Sequence, residues 1–445
     1  MEDYNDIFKL KTIDNKAIAE NYTQALFAAN HRNAERMDER IEGSQYDRLH
    51  HFLSYSPWSS RKLIDRIAQR AFTLLFHRPE LDGLPIGCYI DESSFPKKGK
   101  KSVGVKRQWL GCKGKVDNGQ VAVFTAFGRG RHCALVDCRL FLPECWVEDE
   151  QRCETAGIPE DQREFKTKLE LAIESVQHID TMGLQPCFYA IDALYGSSMA
   201  FMNELELTGK PVLGRVRSDF RLYLEEPEFY LPERKSNKGR KPTKMRSDSK
   251  TFSTLQIQRK SKDEDWQNVE VRDTDKGKLR LDIIHKKIWV RCEETNVTFS
   301  RELLITRENE EGEVKYSYTL VIPNGCTDLQ RLVQMDRQRY WIERSFQDAK
   351  NQVGLDEYQV RKYDGFYHHM SLSMLAYLFL TERRMSFMGR LELLSCADIK
   401  IFLEFLIPNK AKSLEDLFIQ MLIRHKKRRA SIESACRRQS RISNE

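Results

Sequence analysis

The stretch PCFYAIDALYG, residues 186–196, contains the pattern on which the fold prediction depends. It begins with a short apolar run, typical of a buried strand, and this run ends at Asp192. Apolar side chains recur at helical spacing over 161–182, which predicts a helix before the strand. Another strand is predicted after it, over 211–216. Helices and strands that alternate in this way indicate an α/β fold.

A second apolar run, residues 86–90, also ends at an aspartate, Asp91. Two more strand candidates follow at 120–127 and 133–142, and a turn containing glycine and arginine joins them. Strands joined by short turns pair as antiparallel neighbours, so these three predict an antiparallel meander beside the alternating segment.

The flanking regions differ in pattern from this core. Apolar positions at helical spacing predict a helical beginning, in which Ser56 and Pro57 are expected to start a helix. A β-rich insertion is predicted after the core, and helices are predicted again beyond it. The predicted organisation is 1–82 helical, 83–216 first part of the core, 217–325 β-rich insertion, 326–385 second part of the core, and 386–445 helical with a basic tail.

Composition limits the class of protein. Of 445 residues, 40% are hydrophobic and 31% are charged, which is typical of a globular protein in water. No apolar stretch approaches the ~20 residues of a membrane span, and the acidic start MEDYNDIFKL does not resemble a secretory signal. The eleven cysteines follow no disulfide framework, and their spacing favours buried thiols over a zinc site. We therefore expect a cytoplasmic protein.

Basic residues are concentrated in three clusters, 97–107, 234–246 and 424–441, although the net charge is only +7. Such clusters neutralise phosphates along a nucleic acid, but each taken singly is equally well explained as a solvated loop or tail. Together the clusters favour a nucleic acid as partner, and the family resemblance described below implies that it is double-stranded DNA. The candidate DNA contacts in the first two clusters are Lys97, Lys98, Lys100, Lys101, Lys106, Arg107, Arg240 and Lys241.

Asp91 and Asp192 are the central candidates for chemistry because each directly follows an apolar strand. Aspartates at the ends of neighbouring strands can converge, and carboxylate oxygens are the ligands that Mg²⁺ prefers. Two bound metals would stabilise the attacking and leaving oxygens of a phosphoryl displacement. An isolated aspartate in this position is more often a turn or cap residue. Glu92 is the weaker candidate because adjacent strand residues point to opposite faces.

A third carboxylate, Glu343, lies in RQRYWIERSFQDAK, residues 337–350, for which one helix is predicted. Arg339, Glu343 and Lys350 are spaced by four and seven residues, so they share one side of that helix. One interpretation is a surface row of salt bridges. The other is a metal ligand between two cations that contact phosphate.

These residues carry a family resemblance. The chain resembles the DDE transposases of bacterial insertion sequences, in the branch with a Tyr-Arg-Glu-Lys signature and a β-rich insertion before the glutamate. Arg339, Glu343 and Lys350 match that signature in spacing, and Asp336 stands at the position of its tyrosine. The segment YIDESSFPKKGKKSVGVKRQWLGCKGKVDNGQVAV resembles the first catalytic block, YAIDALYG the second, and GLDEYQVRKYDGFYHHMSLSMLAYLFL the C-terminal helical block.

The resemblance implies an RNase H-like core of mixed sheet and helices, split by the β insertion, with a DNA-binding N-terminal domain. It implies that Asp91, Asp192 and Glu343 hold Mg²⁺ or Mn²⁺, two ions per site, and that Arg339 and Lys350 contact the DNA backbone near the cut. The implied reaction is hydrolysis at the 3′ ends of the element followed by strand transfer, within a homodimer that holds both ends. Two alternatives stay open: a DNA-binding protein without catalysis, and an RNase H-like nuclease without joining activity.

Overall fold

A computed structural model describes residues 1–78, 81, 83–233, 242–274, 277–310, 313–391 and 394–442. The chain divides into two compact units. One unit combines Met1–Leu63 with Asp348–Glu445, and the other is Ile64–Gln347. Within the described residues, no helix is both long enough and apolar enough to cross a membrane.

The strands lie in the unit Ile64–Gln347. They are β1 Gly87–Pro96, β2 Lys106–Leu110, β3 Lys115–Arg129, β4 His132–Leu140, β5 Phe188–Ile191, β6 Val212–Val216, β7 Arg221–Tyr223, β8 Thr251–Ser253, β9 Gln267–Thr274, β10 Gly277–Arg291, β11 Thr298–Glu310 and β12 Glu313–Ile322.

Helices occur in both units. They are α1 Asn5–Phe8, α2 Lys16–Ala28, α3 Ala34–Arg40, α4 Tyr46–Ser54, α5 Ser60–Phe76, α6 Glu144–Val147, α7 Glu150–Ala156, α8 Lys168–Thr181, α9 Ala193–Gly196, α10 Met199–Glu206, α11 Thr254–Lys260, α12 Leu329–Gln338, α13 Tyr340–Val353, α14 Tyr363–Ser386, α15 Cys396–Leu406 and α16 Leu414–Ile442.

The strands form one mixed sheet. Its first half is an antiparallel meander of β1, β3 and β4, to which β5 and then β6 are added in parallel with β1. β12 pairs antiparallel with β6, so the strands of the insertion, β12, β11 and β10, continue the same sheet. The predicted fold class is confirmed: an α/β, RNase H-like mixed sheet with a β-rich insertion and helical ends.

The strand that carries Asp91 is longer than predicted. The apolar run was expected to end at Asp91, but β1 continues to Pro96 and pairs with β3 along its whole length. Asp91 pairs with Phe124, and the following Ser93 and Ser94 are buried. The polar sequence after Asp91 gives no alternation, but cross-strand pairing with β3 supplies the hydrogen bonds that keep it extended.

Two predicted helix starts are wrong. α5 begins at Ser60, and Ser59, rather than Ser56, accepts a hydrogen bond from the backbone N–H of Lys62 at 3.2 Å. Trp58 is buried there, and its indole N–H donates to the carbonyl of Phe52 at 3.2 Å, which ties the segment down before the helix begins.

The helix expected over 161–182 begins only at Lys168. Thr167 and Glu170 form a capping box, in which each side chain accepts a hydrogen bond from the other's backbone N–H. Phe165, expected on the buried face, is exposed and lies outside this helix. The capping residues therefore outweigh the apolar periodicity in setting where α8 starts.

The unit of Met1–Leu63 and Asp348–Glu445 is built around α14, whose side chains are buried on most sides. A helix that is buried in this way forms the centre of a helical core. His368 lies within it, with Nδ1 2.7 Å from the carbonyl oxygen of Leu53 and Nε2 2.9 Å from that of Trp58. His369 is equally buried, 2.7 Å from the hydroxyl of Tyr22. Both histidines therefore bind other parts of this core.

Gly196, at the end of α9, marks a close approach to β6. A Cβ added there would lie 2.2 Å from the carbonyl oxygen of Arg215 and 2.7 Å from the backbone carbon of Gly214. This close packing holds the turn that follows Asp192 against the sheet.

Replacing Gly196 with alanine should therefore lower the free energy of unfolding by about 1–3 kcal/mol, because the clash is with strand backbone that cannot turn away. Denaturant unfolding of the purified variant measures this loss. Gly111→Ala is the matched control, since a Cβ there meets nothing within 4 Å. Equal stability of the two variants would contradict the packing described for Gly196.

Candidate active site

Asp91 and Asp192 lie on neighbouring parallel strands at equivalent positions. β1 and β5 pair in register, and the last pair is Ile90 with Ile191. Asp91 is the next residue of β1 and Asp192 directly follows the end of β5, so the sheet brings them side by side as the sequence predicts. Asp192 is also the N-cap of α9: its Oδ1 accepts hydrogen bonds from the backbone N–H groups of Leu194 at 3.0 Å and Tyr195 at 3.4 Å.

The surroundings of these two carboxyls disfavour their negative charge. Burial, and then the nearby charge of Asp192, raise the pKa of Asp91 from an ordinary 3.8 to about 7. Burial also raises the pKa of Asp192, although the backbone N–H group of Tyr195 opposes that shift. Two neighbouring carboxyls with raised pKa values form a site that a cation would stabilise.

Arg339 and Glu343 face the same site from the helical segment after the insertion. The guanidinium of Arg339 donates from Nη2 to Oε1 of Glu343 at 2.6 Å, and its Nη1 lies 3.6 Å from Oδ2 of Asp91. The side chains of Arg339 and Asp91 are 15% and 14% exposed, whereas that of Glu343 is 51% exposed. Burial alone would lower the pKa of Arg339, but the negative charges of Glu343 and then Asp91 together outweigh it, so the pKa is raised.

The single helix predicted over 337–350 is wrong. α12 ends at Gln338 and α13 starts at Tyr340, so Arg339 lies at a break between two helices. The side-chain carbonyl of Gln338 accepts a hydrogen bond from the backbone N–H of Gly130 at 2.8 Å, which fixes this break to the β3–β4 turn. The four-residue spacing of Arg339 and Glu343 still places them on one side, as predicted.

Asp336, which stands at the position of the signature's tyrosine, has a structural role. Its carboxylate is 2% exposed and accepts a hydrogen bond from Nη2 of Arg215 at 2.8 Å and another from the hydroxyl of Thr319 at 2.9 Å. Arg215 lies on β6 and Thr319 on β12, so one buried aspartate joins the core, the insertion and α12. Sequence reasoning missed this role, because neither partner is near Asp336 in the chain.

The donor set fits a divalent cation. Asp91, Asp192 and Glu343 offer carboxylate oxygens, the donors that Mg²⁺ and Mn²⁺ prefer. The buried hydroxyl of Tyr195 lies beside this site and has no hydrogen-bond partner among the described residues. Across the described part of the chain, the structure brings no three His, Cys, Asp or Glu side chains close enough to hold a metal together. Glu343 is hydrogen-bonded to Arg339. The three carboxylates therefore have the donor atoms that the ion prefers, but they do not surround a single metal position.

Glu92 is nearer to the site than the sequence suggests. Its carboxylate pairs with the ammonium group of Lys168 at 2.6 Å. Burial is the largest cause that raises the pKa values of Asp192 and Tyr195, and the charge of Glu92 adds to both shifts. Alternation along β1 predicts that Glu92 points to the opposite face from Asp91, yet its charge still raises the pKa of Asp192. The pairing with Lys168, at the start of α8, is a contact between distant segments that the sequence pattern does not indicate.

The candidate DNA contacts of the first basic cluster lie on β2 and in the segment that joins β1, the strand that carries Asp91, to β2. Five of them, Lys98, Lys100, Lys101, Lys106 and Arg107, are exposed, and Lys97 is half-buried. Trp109 on β2 is an exposed aromatic side chain beside these cations that sequence reasoning overlooked. Lys350 lies on α13, seven residues after Glu343. Arg240 and Lys241 lie outside the described residues.

The chain is similar to known proteins at two levels, a protein family and an individual relative. A family model described as DDE superfamily endonuclease matches residues 9–278, which include Asp91 and Asp192 but not Glu343. The chain is also similar to a probable transposase for insertion sequence element IS701 from Microchaete diplosiphon, with 34% identity over 165 residues. That match covers 36% of this chain and 38% of the relative, so it spans less than half of the relative's length. The family model matches more than half of the residues of this chain, so the chain belongs to the DDE superfamily of endonucleases.

Proposed function

We propose that this protein is the transposase of an insertion sequence, which cleaves the 3′ ends of the element and joins them to target DNA. The observation that carries the proposal is the juxtaposition of Asp91 and Asp192 on neighbouring strands, with Arg339 joining Asp91 to Glu343. The similarity to a probable insertion-sequence transposase from Microchaete diplosiphon supports the same reaction class.

Each residue of the site has a proposed role. Asp91, Asp192 and Glu343 would hold Mg²⁺ or Mn²⁺, two ions per site, and the bound ions would supply positive charge for phosphoryl transfer. Arg339 is half-buried with its guanidinium beside two carboxylates, so it orients Glu343 and offers N–H donors to a DNA phosphate.

DNA binding is proposed for surfaces outside the carboxylate site. The exposed cations around β2 would neutralise backbone phosphates on DNA that leads into the site, and Lys350 would contact the backbone near the cut. The helical segment 1–82 would bind the element ends. We propose that the reaction takes place in the cytoplasm, in a homodimer that holds both ends.

The test is cleavage of a labelled DNA duplex that carries the element's own ends, in Mg²⁺ and in EDTA. We expect nicking at the 3′ end of the element in Mg²⁺ only, followed by transfer of that end to a second duplex. DNA binding without cleavage in Mg²⁺ would contradict the enzyme proposal and favour a DNA-binding protein without catalysis. Cleavage without transfer would contradict the joining step and favour a nuclease.

A further inference from the structure

The two C-terminal helices, α15 and α16, expose many large apolar side chains. On α16 the exposed positions 414, 417, 418, 421 and 422 recur at spacings of three and four, so they share one side of the helix. Phe405 on α15 is 88% exposed and Leu414 on α16 is 85% exposed. The set on these sides of the two helices is Ile401, Phe402, Phe405 and Leu406 on α15, and Leu414, Leu417, Phe418, Met421 and Leu422 on α16. Ile419 and Ile423 are also exposed, but helical spacing turns them away from this side of α16.

The side of α16 that contacts its own chain is polar. Gln420 donates from its side-chain amide to the carbonyl of Glu39 at 2.9 Å, and Arg424 donates to the carboxylate of Glu39 at 2.7 Å. Asp416, one turn before Gln420, belongs to the same half-buried row. A helix on the surface of a monomer normally buries its apolar side and exposes its polar side. α16 has the opposite arrangement, which indicates that its apolar side is covered by something else.

The exposed area is sufficient for a stable protein interface. The nine side chains of this set together expose on the order of 1,000 Å² of apolar surface, compared with ~800 Å² per partner in a typical specific complex. Isolated exposed apolar residues are ordinary, but a set of this size on two consecutive helices marks an interaction surface.

The charges on α16 favour a second copy of the same chain. Glu415 lies in the first turn of the helix, and four cations, Lys426, Lys427, Arg428 and Arg429, follow the apolar stretch. If two copies of α16 pack antiparallel about a two-fold axis, the acidic start of each helix meets the basic turn of the other. Parallel packing would place the two basic turns side by side and is disfavoured.

We propose that the apolar side of α15 and α16 is the self-association surface of this protein, with α16 packed antiparallel against the same helix of a second copy. This surface deepens the proposed function by locating the contact between copies in the proposed dimer. It depends on no bound DNA or metal. An experiment can therefore contradict the self-association surface without contradicting DNA cleavage, and the reverse is also true.

The experiment is sedimentation equilibrium of the full chain without DNA or metal, from about 1 to about 100 µM. Wild type should be a dimer. Leu417→Glu combined with Phe418→Glu should raise the dimer dissociation constant at least about 100-fold, because both charges would enter the buried interface. Circular dichroism should stay unchanged, since both side chains are exposed in the single chain. Leu207→Glu, at an exposed leucine of the other unit, is the matched control and should stay dimeric.

The direction of packing has its own test. Glu415→Lys and Lys426→Glu should each weaken self-association about tenfold, and a mixture of the two variants should form a heterodimer about as tightly as wild type. Three results would overturn the proposal: a monomeric wild type at about 100 µM, a Leu417→Glu/Phe418→Glu variant that dimerises like wild type, or a mixture that associates no better than each variant alone.

Discussion

Replacing Asp91 with asparagine should abolish metal-dependent DNA cleavage and at the same time stabilise the metal-free protein at pH 8. The amide removes a negatively charged oxygen donor from the site, so we expect cleavage to fall roughly 10³-fold or more. The side chain keeps its shape and size, so DNA binding should persist. Asp192→Asn and Glu343→Gln should lose cleavage to a similar extent.

The gain in stability follows from the pKa of Asp91. Burial and the charge of Asp192 raise that pKa from 3.8 to about 7, so the folded protein holds the proton more tightly than the unfolded chain does. The stability that this carboxyl contributes is fully present below about pH 4 and is lost as the pH rises towards 7. Asparagine carries no such charge, so the variant should be more stable than wild type at pH 8, by on the order of 2 kcal/mol.

Two measurements check this expectation. Cleavage and binding of the labelled duplex separate lost chemistry from lost binding, and thermal unfolding from pH 4 to pH 8 without metal follows stability. Asp161→Asn, at an exposed aspartate outside the site, is the control and should match wild type in both. Addition of Mg²⁺ should raise the melting temperature of wild type more than that of the Asp91 variant. Retained cleavage by Asp91→Asn would exclude Asp91 as a metal ligand.

The part of the site that could be predicted from the sequence is the part built from local patterns. The apolar runs before Asp91 and Asp192 predict strands, and the structure places the two aspartates directly after the paired residues Ile90 and Ile191 of two parallel strands. The spacing of Arg339 and Glu343 predicts a shared side, and the two side chains bond directly. These inferences succeed because strand burial and helical spacing depend on residues that are neighbours in the chain.

The rest depends on contacts between distant residues. β1 extends beyond Asp91 because β3 pairs with it, and the break at Arg339 is fixed by Gln338 and the β3–β4 turn. Glu92 pairs with Lys168, which is far away in the sequence. The exposed side of α16 is another example, since a sequence pattern shows that a helix is amphipathic but not which side meets its own chain.

Replacing Asp336 with alanine should lower the free energy of unfolding by about 3–5 kcal/mol, the largest stability loss that we expect from a side chain outside the carboxylate site. Asp336 is the buried partner of Arg215, and burial already lowers the pKa of that guanidinium while Asp336 opposes the shift. Without the carboxylate, Arg215 would remain half-buried without its hydrogen-bonded anion, and Thr319 would lose its acceptor.

Asp328 provides the matched control. It lies at the start of the same helix, where its exposed carboxylate accepts a hydrogen bond from the backbone N–H of Gln330 at 3.0 Å. Asp328→Ala removes an N-cap and should cost about 1 kcal/mol. Denaturant unfolding of both variants compares an exposed capping role with a buried bridging role on one helix. Equal losses would contradict the bridge.

A double-mutant cycle separates the ion pair from the shape of the site. Arg215→Met alone removes the cation that is hydrogen-bonded to the buried Asp336 carboxylate and leaves Nε of Arg337, 4.0 Å away, as its remaining cation, so it should destabilise the protein, although less than Asp336→Ala does. Arg215→Met combined with Asp336→Leu removes both charges and should recover most of that loss, because apolar side chains of similar volume often replace a buried pair at little cost.

The backbone carbonyl of Asp336 accepts a hydrogen bond from the N–H of Arg339 at 3.3 Å, which connects the pair to the candidate active site. If the double variant folds as stably as wild type but cleaves DNA more slowly, the pair holds Arg339 and Glu343 in position; if cleavage recovers with stability, its role is structural alone.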